Sequence, residues 1–400
     1  MKQYIGGKPS FHLHQIINKK ESKRDVFPFN QRACYYFHSA RYALAAGIRA
    51  LGMGDGDAVL LPSYNCWTEI DPFLSSKINP IFYNVRKTLT TDLDDLSRKI
   101  TKNVKAILIT HFLGFPQPLD EIKNICKQRN LFLIEDCAHA LLSSCDGKYL
   151  GSSGDIAIFS LMKTVPIPNG GVLLINNKNI EFSSDIEKPN RFATYSYALE
   201  LLRFRTRDNH LPTGEEGLDL FYRTLYFSLS LVRIFLLGFR KYLHPTGRYL
   251  LRPDSYDFVE AIRSWGISGL SIKIINHLDF EKIKMARRHN FEYMLDYFIK
   301  NVAAILPFGQ LPTGVCPLFF PVIIEDPSER DAMYRALKNK GVITHPWWNR
   351  FHPNVPWDQF PDAVYLKQTL FGLPIHQDLN SLFLDQVISE FEQANKTIRS

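Results

Sequence analysis

The chain predicts an α/β protein: a mainly parallel sheet layered with helices, followed by a smaller C-terminal α/β domain. Three observations lead there. Short continuous apolar runs, the mark of strands buried on both faces, recur through the first half. Between them lie segments with the length and polarity of crossover helices, which is the βαβ rhythm of a parallel sheet with right-handed connections. At 400 residues and 45% hydrophobic content, the chain can also bury a large core and divide into two domains. We place a large domain at 1–260, with a hydrophobic and basic insertion at about 185–256, and a small domain with its connecting helix at 261–400.

The elements follow in order. Ser39 is a natural cap for a helix over 39–51, and the apolar run 58–62 is a strand. Helices at 67–76, 92–100 and 118–129 alternate with strands at 81–85 and 106–110. The run 131–134 is continuous rather than alternating, so it is a buried parallel strand. After the turn Gly151-Ser152-Ser153-Gly154 come strands at 155–159 and 170–175. A connector helix over 279–300, a strand at 316–324, a helix at 328–340 and a strand at 342–344 build the smaller domain.

Chemistry gathers where two of these strands end. One delivers Glu135-Asp136-Cys137-Ala138-His139, the other Ser160-Leu161-Met162-Lys163, and the carboxyl edge of an open α/β sheet is where ligands bind. Singly, Asp136 serves as a helix cap and Lys163 as a solvated loop residue. Together with Ser160 they match what pyridoxal phosphate requires: a buried carboxylate for the ring nitrogen, an amine for the aldehyde, and hydroxyl and N–H groups for the phosphate.

These residues resemble a family. Ile134-Glu135-Asp136-Cys137-Ala138-His139 and Gly154-Asp155-Ile156-Ala157-Ile158-Phe159-Ser160 look like the core of the DegT/DnrJ/EryC1/StrS nucleotide-sugar aminotransferases, enzymes of pyridoxal-phosphate fold type I. Ser39-Ala40-Arg41-Tyr42-Ala43-Leu44, Leu61-Pro62-Ser63-Tyr64 and Leu373-Pro374-Ile375-His376 resemble further family elements. The likeness implies that Lys163 forms the Schiff base, that Asp136 faces the pyridinium, and that His139 lies close to the cofactor ring. It also implies that Ser160, Ser39 and Ala40 hold the phosphate, the last two at a helix N-terminus suited to an anion.

The chain departs from the family pattern in three places. Lys163 follows Ser160 by three residues, closer than in most members. The aromatic that covers the ring in relatives falls at Cys66, leaving Trp67 or His139 for that task. Arg263-Ser264-Trp265-Gly266-Ile267-Ser268 replaces the segment through which one subunit reaches the other's phosphate. His111 ends a strand at the same edge, but a core or loop histidine explains it as well, and it stays outside the catalytic set. His345-Pro346-Trp347-Trp348 and the Leu373–His376 run are candidates to line the cleft.

The formal net charge of +8 suits a phosphate-bearing partner such as a nucleotide sugar. With no finger-like Cys/His spacing, no aromatic-basic repeat and no arginine tract, nucleic acid is not an expected partner, and no metal site is expected. The six scattered cysteines point to a reducing cytoplasm, and the N-terminal residues lack the apolar core of a signal peptide. Within the insertion, residues 219–241 are apolar and aromatic but broken by Arg223 and Arg233, so a membrane span is not expected. A helix packed on the large domain or on a second subunit, or lying on a membrane surface, fits better.

The sequence therefore predicts a cytoplasmic, homodimeric, pyridoxal-phosphate-dependent aminotransferase. It would transfer an amino group, by resemblance from glutamate, to a keto sugar of a nucleotide sugar in polysaccharide or lipopolysaccharide biosynthesis. A non-catalytic scaffold of the same fold is the alternative from another class. A sugar dehydratase is the neighbouring enzyme, disfavoured because those relatives carry His where this chain has Lys163.

Overall fold

The computed structural model describes residues 4–12, 15, 25–183, 185–207, 219–243, 258–302 and 304–399. Of the expected insertion, 208–218 and 244–257 lie outside the described residues.

The chain enters its main sheet at β1 (Cys34–Phe37), which the sequence did not announce, and turns into α1 (Ala40–Ala50). Then β2 (Ala58–Pro62), α2 (Trp67–Ser75), β3 (Asn79–Tyr83), α3 (Leu93–Arg98), β4 (Val104–Thr110), α4 (Leu119–Arg129) and β5 (Phe132–Asp136) alternate as expected. Asp92 caps α3 by accepting from the Asp95 N–H at 3.1 Å, and α4 stops where Asn130 turns left-handed at φ 53°. A small hairpin, β6 (Ser144–Cys145) and β7 (Lys148–Tyr149), precedes β8 (Ile156–Ser160), the single-turn α5 (Leu161–Thr164) and β9 (Gly171–Ile175).

Seven strands form one sheet in the order β1-β9-β8-β5-β4-β2-β3. The block from β8 to β3 is parallel, while β9 runs antiparallel to β8 and β1 antiparallel to β9. The central parallel strands β2 and β4 are apolar and, apart from Lys105, buried along their length, as strands covered on both faces must be. Beyond β1, the segment 263–268 lies along the same edge of this chain: Gly266 bridges Phe37, Trp265 bridges Glu187, and the Trp265 carbonyl accepts from the His38 N–H at 2.8 Å.

Among the described residues the insertion contributes two helices, α6 (Arg191–Arg207) and α7 (Asp219–Leu243), packed on each other. Tyr222 is fully buried and stacks under the Arg205 guanidinium at 4.4 Å, and Leu225, Tyr226 and Leu229 pack toward the core. The opposite face of α7 leaves Leu220 and Phe227 exposed at 75% and 64%, with Phe221, Leu231 and Val232 beside them. Among the described residues, no helix is long and apolar enough to cross a membrane.

After α8 (Gly269–Ile275), the long α9 (Phe280–Asn301) leads to β10 (Phe320–Ile323), α10 (Pro327–Lys340), β11 (His345–Pro346), α11 (Pro361–Thr369), β12 (Leu370–Leu373) and α12 (Ser381–Arg399). Its three strands pair antiparallel in the order β10-β12-β11. The strand expected at 342–344 is displaced: Val342 bridges Ile5 of the N-terminal segment instead, and the ladder forms at His345–Pro346. One apolar core runs without a break from the seven-stranded sheet through Phe291, Met294 and Phe298 of α9 to Phe320 and Leu373.

Candidate active site

The parallel register sets the site. Thr110 at the end of β4 pairs with Asp136 at the end of β5, and Ser160 ends β8 on the same side of the sheet. Asp136 is buried and accepts from the Ala138 N–H at 2.7 Å. Burial raises its carboxyl, while the Lys163 ammonium and the Ala138 N–H pull it back. Lys163 stands on α5, whose Thr164 carbonyl is pinned by the Arg287 guanidinium and the Gln377 amide, each at 3.2 Å. The shortened spacing from Ser160 thus places the lysine on a helical turn at the strand end.

His139 lies in the same enclosure. Its Nδ1 accepts from the Leu113 N–H at 3.2 Å, which leaves the proton on Nε2, a buried atom without a partner. Burial and the nearby Lys163 charge hold the imidazole well below its ordinary range, so the ring is neutral. The Trp347 and Trp348 rings flank it at 5.0 and 4.9 Å, and both lie 5.9 Å from the Lys163 Nζ. The Trp347 indole N–H is a second buried atom with no partner. Trp348 holds φ 53°, a left-handed conformation that costs a bulky residue about 1–2 kcal/mol and aims its ring into the enclosure against Tyr64 and Phe112.

An anion cradle adjoins. Ser39 sits at the N-cap of α1 with extended backbone, yet its hydroxyl makes no capping bond, contrary to the expected cap. Ser160 likewise precedes α5 without capping it. Gly171, the register partner of Ser160, presses on the start of α1 so closely that a Cβ there would overlap the Ser39 carbonyl carbon and the Ala40 nitrogen. Two uncommitted hydroxyls and a helix N-terminus therefore meet across one glycine.

The Trp67 ring packs on His352 at 4.7 Å, while the Trp347 and Trp348 rings are the ones recorded beside the Lys163 Nζ. His111 and Glu135 are structural. The His111 Nε2–H donates to Glu135 at 3.0 Å, and the same carboxylate accepts from the N–H groups of Gly151, Ser153 and Gly154, which fixes the turn before β8. His38 joins Tyr197 at 2.6 Å to Asn169 at 3.1 Å, and Asn169 accepts from Ser268 and Ser271. This network seats the lysine loop against the insertion and α8.

Sequence reasoning missed Glu69 and Lys367. Both are buried: Glu69 accepts from the Thr110 hydroxyl at 3.0 Å, and Lys367 donates to the carbonyls of Asn65, Trp348 and Arg350. An acid in the first turn of a helix and a lysine on a surface-patterned helix carry no local signal of burial.

Residues 29–185 match the model of the DegT/DnrJ/EryC1/StrS aminotransferase family. The chain is 36% identical over 141 residues to GDP-perosamine synthase of Escherichia coli O157:H7, covering 34% of this chain and 39% of that protein. It is also 36% identical over 140 residues to dTDP-4-dehydro-2,3,6-trideoxy-D-glucose 4-aminotransferase of Saccharopolyspora spinosa, covering 34% and 36%. The matched part thus spans under two fifths of those relatives. In three dimensions the likeness is longer. The aminotransferase TlmJ of Streptoalloteichus hindustanus superposes with a TM-score of 0.63 over 92% of this chain and 87% of its own at 20% identity. The aminotransferase of Psychrobacter cryohalolentis gives 0.62 over 92% and 88% at 16% identity. The fold is the α/β fold of these transferases, and the residues similar to the DegT/DnrJ/EryC1/StrS aminotransferase family, 29–185, carry Asp136, His139, Ser160 and Lys163.

Proposed function

We propose that the protein is a pyridoxal-phosphate-dependent aminotransferase that moves an amino group, from glutamate, onto the keto carbon of a nucleotide sugar. The observation that carries this is the convergence of the half-buried Lys163 with the buried Asp136 and the orphaned His139 Nε2–H at one edge of the sheet, with the uncapping hydroxyls of Ser39 and Ser160 at two helix starts. Each group fits one feature of the cofactor. Asp136 would face the ring nitrogen, the His139 N–H would donate to the ring's edge, and Ser39, Ser160 and the Ala40 N–H would hold the phosphate. Lys163 would carry the cofactor covalently on its amine.

Bound there, pyridoxal phosphate supplies the electron sink that labilises a proton beside the amino group. The chain supplies the rest. Lys163, at the same edge of the sheet, is placed to carry a proton between substrate and cofactor carbons once its amine is free. Trp347 and Trp348, packed on His139 and close to Lys163, would flank the bound ring.

The sugar is the proposed acceptor because a GDP-perosamine synthase and a dTDP-4-dehydro-sugar 4-aminotransferase align over the segment that bears these residues, and a net charge of +8 suits a diphosphate-linked substrate. A cytoplasmic homodimer working in polysaccharide assembly is part of the same reading, with the outward apolar face of α7 as a subunit contact. The test is chemical. Purified protein supplied with pyridoxal phosphate should acquire a visible absorption band that borohydride fixes to the Lys163 peptide in mass spectrometry, and glutamate should bleach that band. A band that persists with every amino donor would favour a scaffold, and absence of any band would overturn the reading.

A further inference from the structure

Glu69 and Asp136 reach one point from different elements. Asp136 closes β5, and Thr110, its register partner on β4, donates its hydroxyl to Glu69 Oε1 at 3.0 Å. That bond turns the Glu69 side chain back over the strand ends. Its second oxygen, Oε2, is buried without a hydrogen-bond partner, on a residue only 5% exposed, beside the equally buried Asp136. Two carboxylates this close and this dry cannot both be ionised. Burial and the Asp136 charge drive the Glu69 carboxyl far above its usual range, and the pull on Asp136 from Glu69 is the opposite, so the shared proton rests on Glu69. The other groups facing the pair are Tyr83 from β3 and Lys367 from α11 on the Glu69 side, with Lys163 and His111 on the Asp136 side.

We propose that Glu69 is a positioning residue for Asp136: a protonated carboxyl that donates toward the Asp136 carboxylate, partly spends its charge, and so sets how tightly Asp136 holds a cationic ring nitrogen opposite it. This deepens the cofactor reading above and rests on it for the identity of that cation. Thr110 keeps the acid aimed. A glutamine keeps a donor at the same place, and an alanine removes it.

Two measurements decide the matter. In the cofactor-free full-length protein, the folded state keeps the Glu69 proton that the unfolded chain releases above about pH 4.5, so Glu69 subtracts stability as pH rises. The melting temperature of Glu69→Gln relative to wild type should therefore climb steadily from pH 5 to pH 8. A difference that stays flat over that interval overturns the proposal, because an ionised or merely structural Glu69 would give it. In protein loaded with pyridoxal phosphate, Glu69→Ala should move the pH midpoint of the visible band upward by about one unit or more and tighten the cofactor about tenfold near that pH. Glu69→Gln should restore the wild-type midpoint, and equal midpoints in all three proteins would also overturn the proposal. A wild type that takes up no cofactor would sink the cofactor reading alone, with the melting series still deciding whether the two acids share a proton.

Discussion

The ammonium of Lys367 donates to the Trp348 carbonyl at 2.9 Å, and through that bond a helix of the small sheet holds an aromatic ring against the lysine of the large one. The same ammonium reaches the Asn65 carbonyl at 2.9 Å and the Arg350 carbonyl at 3.0 Å. Three carbonyls use all three of its protons. The left-handed Trp348 is therefore anchored on its backbone while its ring is free to face the enclosure.

Burial lowers Lys367 from 10.5 to about 8. Between those two values the unfolded chain holds a proton that the folded one has released, so stability contributed by this group rises with pH through that window. The full gap is worth about 3 kcal/mol. Urea unfolding at pH 7.5 and pH 10 should show wild type gaining on Lys367→Met by an amount of that order. An unchanged difference would mean that the lysine titrates normally and is solvated.

Gly171 is the point where β9 meets the start of α1. Gly171→Ala should cost about 1–3 kcal/mol, because the added methyl collides with backbone that cannot swing aside. Gly269→Ala is the matched control, since nothing lies within 4 Å of its added methyl. Thermal melts of the two variants, with titration of pyridoxal phosphate, should show both stability and phosphate affinity lost in the first and kept in the second.

Arg287 is fully buried on α9 and bonds the carbonyls of Thr164 and Leu318 and the Gln377 amide oxygen. Its removal strands these acceptors in the core. Arg287→Met should destabilise by about 2–4 kcal/mol, and Arg287→Lys should recover only part of it, because one ammonium cannot reproduce the planar fork. Chemical denaturation measures the first. The rate of borohydride-trapped cofactor attachment at Lys163 would report whether the turn it stands on has loosened.

The outward face of α7 presents Phe227 and Leu231 to solvent. A Phe227→Ser, Leu231→Ser double variant should keep the wild-type melting temperature of a diluted sample and shift the mass measured by light scattering toward a single chain. Identical masses for the two proteins would remove α7 from the subunit contact.

Much of the site was legible because its signals are local. The run 131–134 and the run 155–159 are strands by their continuous apolar character, and a strand end places the next side chain at the ligand edge whatever lies elsewhere. Asp136, His139, Ser160 and Lys163 could be picked on that ground, and the structure brings them to one edge. Trp67 could not be resolved in the same way: helical spacing does not tell which neighbour a ring will meet, and His352, its partner, is far along the chain.

Composition, apolar runs and turn residues by themselves determined the α/β class, the order of strands and helices in the first half, and the acid, imidazole, hydroxyl and amine at the strand ends. Only the tertiary structure decided that Glu69 would lie beside Asp136, that Lys367 and Arg287 would be buried on carbonyls, and that Trp347 and Trp348 would reach Lys163. The division has one physical cause. A backbone conformation is chosen by residues a few positions away, whereas the partner of a buried charge or ring is chosen by whichever distant surface closes over it.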